Sequence, residues 1–224
     1  EAEMEALRKQ QEAEAAARGE TLPAPGDEAA TDDGTSLIPG QTPIAPFESR
    51  DAVDMENKIG VMRTTAGDIW FYFYPKDAPL HVKNFIYLAT KGFYRDVRFH
   101  RIVPGFVIQG GEARPDWSEP DVAIKLEANM KRIHIPGALA AARTTDPNSA
   151  STQFYFCITR EATQGLDGQY TVYGQAFRGQ EVINDIGASE ANQNSAKIID
   201  CQIFDASPFM EEIAAYKSNR SITD

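Results

Sequence analysis

Residues 99–111 read FHRIVPGFVIQGG. Two short apolar runs, 99–103 and 106–109, flank Pro104 and Gly105, a pair that marks a tight turn. This pattern predicts two β-strands folded back on one another. Arg101 stands in the middle of the first run. A guanidinium stays protonated in a protein, so its charge cannot be removed to ease burial. Arg101 therefore either faces water as an ordinary strand residue or sits at the rim of an apolar surface to act on something. In the second run Val107 and Gln109 share one face and Ile108 takes the other, because strand side chains alternate.

The same texture extends on both sides. Runs at 58–64 and 68–74 are apolar, β-branched and aromatic, with TTAGD at the junction, and predict a hairpin. Between the hairpin and the opening stretch, Val82, Phe85, Ile86 and Ala89 fall on one helical face. Pro79 suits the first turn of that helix and Gly92 the position just past its end, so a helix is expected over 79–91. Further strand-like runs follow: GALAAA, TQFYFCI, YTVYGQAF and AKIIDCQIF. Before the last of them, GQEVINDIG predicts a short helix with Val182, Ile183 and Ile186 inward. Many short strands with two internal helices predict a mainly β fold, a closed barrel with helices plugging its ends. The tail from 207 to 224 predicts one more small helix, with Ser207 as N-cap, Pro208 at the first helical position and a stripe of Phe209, Ile213 and Tyr216.

The chain has 224 residues and is 42% hydrophobic, enough for a core of about 150 residues with extensions. Its net charge of −11 is concentrated at the front, where residues 1–58 hold fourteen acids against five bases. The rest is close to balance, which leaves no basic face for nucleic acid. No apolar run approaches the ~18 residues that span a bilayer. Cys157 and Cys201 lie in apolar runs and read as buried free thiols. His81, His100 and His134 are scattered without ligand spacing, so no metal site is expected. Residues 1–20 are rich in Ala and Glu, with Glu5/Lys9 and Glu14/Arg18 at helical pair spacing. Residues 21–50 carry five prolines and three glycines, the chemistry of a linker. An acidic arm over 1–57 is therefore expected, available to a protein partner. Its removal to residue 50 is expected to leave the folded part, 58–206, nearly as stable.

Four stretches together, FHRIVPGFVIQGGE (99–112), AARTTDPNSASTQFYF (141–156), GLDGQYTVYGQ (165–175) and KGFY (91–94), resemble the cyclophilin-type peptidyl-prolyl isomerases, in the order and approximate spacing of that family. The resemblance covers about residues 58–206. It implies a closed eight-stranded antiparallel barrel capped by two helices. It also implies cis/trans isomerisation of X-Pro bonds in peptides or unfolded proteins, without cofactor. Arg101 matches the family's catalytic arginine. Phe106, Val107, Tyr155, Leu166 and Tyr170 match positions of the proline pocket, and Gln109 a polar clamp beside Arg101. Ala142 and Arg143 match the stretch whose backbone holds the residue before proline. Phe154 would belong to the core, and His100, by alternation, to the face opposite Arg101.

The sequence also departs from the family pattern. Tyr155 stands where Phe is common, and its hydroxyl needs a partner or solvent in an apolar pocket. Tyr170 stands where many members have His. Gly165 stands where many have Trp, which implies weak binding of cyclosporin. In place of a Gly-rich loop after QGGE, the chain has only Trp117 as a bulky feature. A non-catalytic scaffold module within a larger assembly is the alternative function. Likeness to linker-tethered bacterial members places an exported or envelope protein ahead of a cytoplasmic one.

Overall fold

The computed structural model describes residues 36–113, 115–119 and 122–221. The helix expected over 1–20 and the first part of the linker lie outside the described residues.

Nine antiparallel strands form one sheet: β1 (Lys58–Thr64), β2 (Gly67–Phe73), β3 (Val97–Arg98), β4 (Arg101–Val103), β5 (Val107–Gly110), β6 (Ala138–Ala141), β7 (Phe154–Cys157), β8 (Val172–Arg178) and β9 (Lys197–Asp205). Their order is β3-β9-β1-β2-β8-β6-β7-β5-β4. The two outermost strands, β3 and β4, are separated in the chain only by Phe99 and His100. The edges of the sheet are thus covalently joined, and the sheet closes on itself. Counted as one interrupted strand, β3 and β4 reduce the nine to the eight that the family resemblance implies.

Closure sorts the side chains. Phe71 on β2 and Phe156 on β7 meet edge to face at 5.7 Å. Along a flat sheet those strands would lie three spacings, about 14 Å, apart. The shared face is therefore the concave interior. It holds Phe71, Phe73, Ile102, Ile108, Phe154 and Phe156 in the main core. Alternation sends Tyr72, Tyr74, Val107, Tyr155 and Cys157 to the outer face, into a second apolar layer. Both cysteines are buried and free.

Helix α1 (Pro79–Thr90) adds Val82, Phe85, Ile86 and Ala89 to the interior, as their spacing predicts. It is buried beyond that stripe: Asn84 is also covered, and its amide donates to the Ser151 carbonyl at 2.8 Å. A one-turn helix, α2 (Arg160–Thr163), follows β7. Helix α3 (Gln180–Ile186) buries Val182, Ile183 and Ile186. At the C-terminus α4 (Met210–Asn219) lays Ile213 and Tyr216, with the preceding Phe209, on the outer layer. Ser207 is not its N-cap. A 3-10 turn, Ser207–Phe209, comes first, and the backbone N–H and hydroxyl of Ser207 both donate to Asp205. No helix among the described residues is long and apolar enough to cross a membrane.

From Ser36 onward the expected linker behaves differently from its composition. Leu37, Ile38 and Val53 are buried, and Ile44, Phe47 and Met55 pack on the core. Because β3 is two residues long, most of that edge of β9 is left open. There Ile44 N–H donates to Ile203 O at 2.7 Å, and Leu37 N–H to the Gln202 side chain at 2.8 Å. Prolines stop residues 36–53 from joining the sheet as a regular strand, but the apolar residues between them still leave water. The segment is a strap packed on the barrel.

Candidate active site

The opening stretch forms a hairpin. Arg101 pairs with Gln109 across β4 and β5, and Val103 with Val107. Gly105 turns the chain at φ +72, a conformation that L side chains rarely adopt. The pairing continues sideways: Gln109 faces Tyr155, Tyr155 faces Ala140, and Ala140 faces Val172. Arg101, Gln109, Tyr155 and Ala140 thus form a row across four strands on the outer face. Arg101 is exposed, and its guanidinium donates to Gln109 Oε1 at 3.3 Å. Gln109 Nε2 in turn donates to Gln153 Oε1 at 2.9 Å, which holds the amide with its oxygen toward the arginine.

Beside this polar end lies an apolar one. Val107 and Tyr155 are buried in the outer layer, with Phe106, Ala142, Leu166 and Tyr170 half-buried against it. Tyr170 meets Tyr155 edge to face at 6.2 Å. The Arg143 guanidinium lies 4.2 Å over the Tyr170 ring and donates to the carbonyls of Thr144 and Gln169. Its side chain therefore clamps the loop carrying Tyr170. Phe154 is wholly interior.

His100 is not on the far side from Arg101. Its Nε2 lies 3.4 Å from Gln109 Nε2, next to the arginine's own partner. Alternation fails here because β3 ends at Arg98 and β4 begins at Arg101, so His100 sits in the break between strands. Trp117 turns to the core, edge-on to Phe93 at 4.9 Å. A cavity of about 460 Å³ between Trp117 and the end of α1 shares no residue with the Arg101 row.

The partner of the Tyr155 hydroxyl is His134, whose Nε2 lies 3.0 Å away. His134 has no exposed surface. Its Nδ1 is 3.0 Å from Asp167 Oδ1, and Arg160 bridges to Asp167 Oδ2 at 2.6 Å. Burial pushes the His134 ring below the ordinary imidazole range, against the opposing pull of Asp167. Burial works to raise the Asp167 carboxyl, but hydrogen bonds from Arg160 and His134 outweigh it and hold the group below its usual value. The sequence reading missed His134, Asp167, Arg160 and Gln153. A tyrosine hydroxyl in an apolar stretch, which needs a partner or solvent, was the one signal in the sequence.

The sign of the pH dependence follows. A histidine depressed in the folded state binds fewer protons there than in the unfolded chain, so acid favours unfolding. Stability from His134 is complete above the ordinary imidazole value of about 6.5 and declines as pH falls toward the depressed one. Melting temperatures between about pH 7.5 and about pH 5 are expected to fall, with the His134 share of the fall absent from His134→Leu. Parallel curves for the two proteins would contradict this.

The family model described as cyclophilin type peptidyl-prolyl cis-trans isomerase/CLD matches residues 59–207. A peptidyl-prolyl cis-trans isomerase of Acinetobacter baylyi is 34% identical over 137 residues, 59% of this chain and 73% of that protein. Peptidyl-prolyl cis-trans isomerase 9 of Schizosaccharomyces pombe is 33% identical over 143 residues; the match spans 61% of this chain but 23% of that longer protein. Among solved structures, a cyclophilin-type isomerase of Cryptosporidium parvum, crystallised in the presence of the dipeptide Ala-Pro, superposes with a TM-score of 0.56. It is 22% identical, and the match covers 65% of this chain and 98% of that one.

Proposed function

The chain belongs to the cyclophilin-type peptidyl-prolyl cis-trans isomerases, and from that membership we propose that it rotates X-Pro bonds of exposed or unfolded segments on the outer face carrying Arg101. The carrying observation is the row of Arg101, Gln109 and Tyr155, a permanent cation beside an apolar layer. The X-Pro amide isomerises over roughly tens to hundreds of seconds because its C–N bond is partly double. Rotation takes the prolyl nitrogen lone pair out of conjugation. A fixed donor can then hydrogen-bond that lone pair, and does so only in the twisted state. Binding that appears only in the transition state is what accelerates a reaction.

The division of labour follows from chemistry. Phe106, Val107, Tyr155, Leu166 and Tyr170 supply the apolar seat for the pyrrolidine ring. Arg101 supplies the donor, and Gln109 keeps its fork directed along the face. Backbone groups of Ala142 and Arg143 hold the residue before proline. No step forms a covalent bond to the protein. The test is direct: the purified chain should accelerate cis-to-trans conversion of a short X-Pro peptide followed by NMR exchange. No acceleration at micromolar enzyme would exclude the reading and leave a scaffold module.

Gly165 offers a milder test at the rim. It is exposed, and a Cβ built there meets nothing within 4 Å. An indole introduced by Gly165→Trp would cover about 100 Å² of apolar ligand, worth about 2 kcal/mol before ordering losses. Cyclosporin affinity is expected to rise several-fold in calorimetric titration, with peptide isomerisation little changed. Unchanged affinity would mean that this loop stands away from the ligand.

A further inference from the structure

We infer that His134 is a positioning residue for the proline site: it holds the Tyr155 hydroxyl inside the protein so that the pocket floor presents ring alone, and through Asp167 it ties that floor to the pocket wall. This rests on the reading of Tyr155 as the floor of the proline pocket.

The hydrogen-bond chain fixes its own direction. Ionised Asp167 can only accept, so the proton lies on His134 Nδ1, which faces Oδ1 at 3.0 Å. Nε2 is then an acceptor, and the Tyr155 hydroxyl donates to it at 3.0 Å. The two rings are nearly parallel, 13° apart, which suits an in-plane bond to Nε2. Asp167 is itself held at three points: by the His134 backbone N–H at 2.8 Å, by Arg160 at 2.6 Å and by the His134 ring. Thr163 and Arg160 both donate to the His134 carbonyl, so backbone and ring are fixed together.

Asp167 is the neighbour of Leu166 and lies three residues before Tyr170. One chain of bonds therefore runs from the β7 floor to the loop bearing two wall residues. Without His134, the phenol loses its acceptor in a place closed to water. The hydroxyl must then stay orphaned or swing toward the pocket, where it competes with the proline ring for apolar surface. The floor contacts the ring equally before and during rotation. Its disturbance should thus raise KM and leave kcat less affected, whereas loss of the Arg101 donor lowers kcat.

The experiment compares His134→Leu in two backgrounds, the natural chain and Tyr155→Phe, by Michaelis analysis of X-Pro peptide isomerisation well below the melting temperature. In the natural background KM is expected to rise about 10-fold, the scale of one orphaned polar group. In the Tyr155→Phe background the same substitution is expected to change KM less than about twofold, since no hydroxyl is left to orphan. An equal rise in both backgrounds, or no rise in the natural one, would overturn the inference while leaving the isomerase reading intact. No acceleration of X-Pro conversion by the natural chain would sink the isomerase reading instead. If His134→Leu does not fold, ¹⁵N NMR of the unaltered protein decides: a neutral ring protonated at Nδ1 supports the chain of bonds, and a proton on Nε2 overturns it.

Discussion

Arg101→Ala is expected to lower kcat/KM for X-Pro isomerisation by about 10²-fold or more, the scale of losing one preorganised donor. The loss should fall on kcat, because the donor acts only once the amide has twisted. Stability should hardly move: Arg101 is exposed, and its side chain reaches Gln109 at 3.3 Å on the open face. Arg101→Lys should recover little. An ammonium is a point charge on a flexible stem, and it cannot both bond Gln109 and present a second donor in a fixed plane. Line-shape or exchange NMR on a peptide with a populated cis form gives the rate without a coupled protease. Near-normal turnover by Arg101→Ala would place the chemistry elsewhere on the molecule.

The second large effect is on stability. A chain beginning at Lys58 is expected to melt on the order of 10 °C below one beginning at Ser36. The shorter chain loses Leu37, Ile38 and Val53, all buried, together with the packing of Ile44, Phe47 and Met55. Full burial of one such side chain is worth about 1.5–3 kcal/mol, and area bookkeeping overestimates it, so about 3–5 kcal/mol is at stake. That is a large share of the roughly 5–15 kcal/mol that holds a domain together. The shorter chain also uncovers the β9 edge that Ile44 covers, which invites association. Thermal melts of the two truncations, with light scattering to follow aggregation, would measure both consequences. Coincident melts would mean that the strap contributes nothing to the fold.

Short-range rules carried much of this protein. Alternation along 106–109 was enough to separate Val107 and Gln109 from Ile108, because a strand has period two wherever it pairs, whereas the division of Phe154 from Tyr155 came from the family resemblance. Pro79 and Gly92 bracketed α1, and the spacing of Val182, Ile183 and Ile186 marked α3. Arg101, in an apolar strand of a recognisable motif, pointed to the face on which the reaction is proposed. Tertiary structure decided what those rules do not reach. The acceptor for the Tyr155 hydroxyl lies 21 residues away, and the carboxylate that fixes the acceptor's tautomer lies 33 residues from it. Residues so distant meet only when the barrel closes, and nothing local in HIPG announces it. His100 was misplaced because a two-residue break resets alternation, and a break is visible only once β3 and β4 have found β9 and β5. The strap at 36–53 was misjudged because proline and glycine content speaks for local conformation. Whether a few apolar side chains stay in water depends on the surface they meet, and that surface, the open edge of β9 and the outer layer beside it, exists only in the folded sheet.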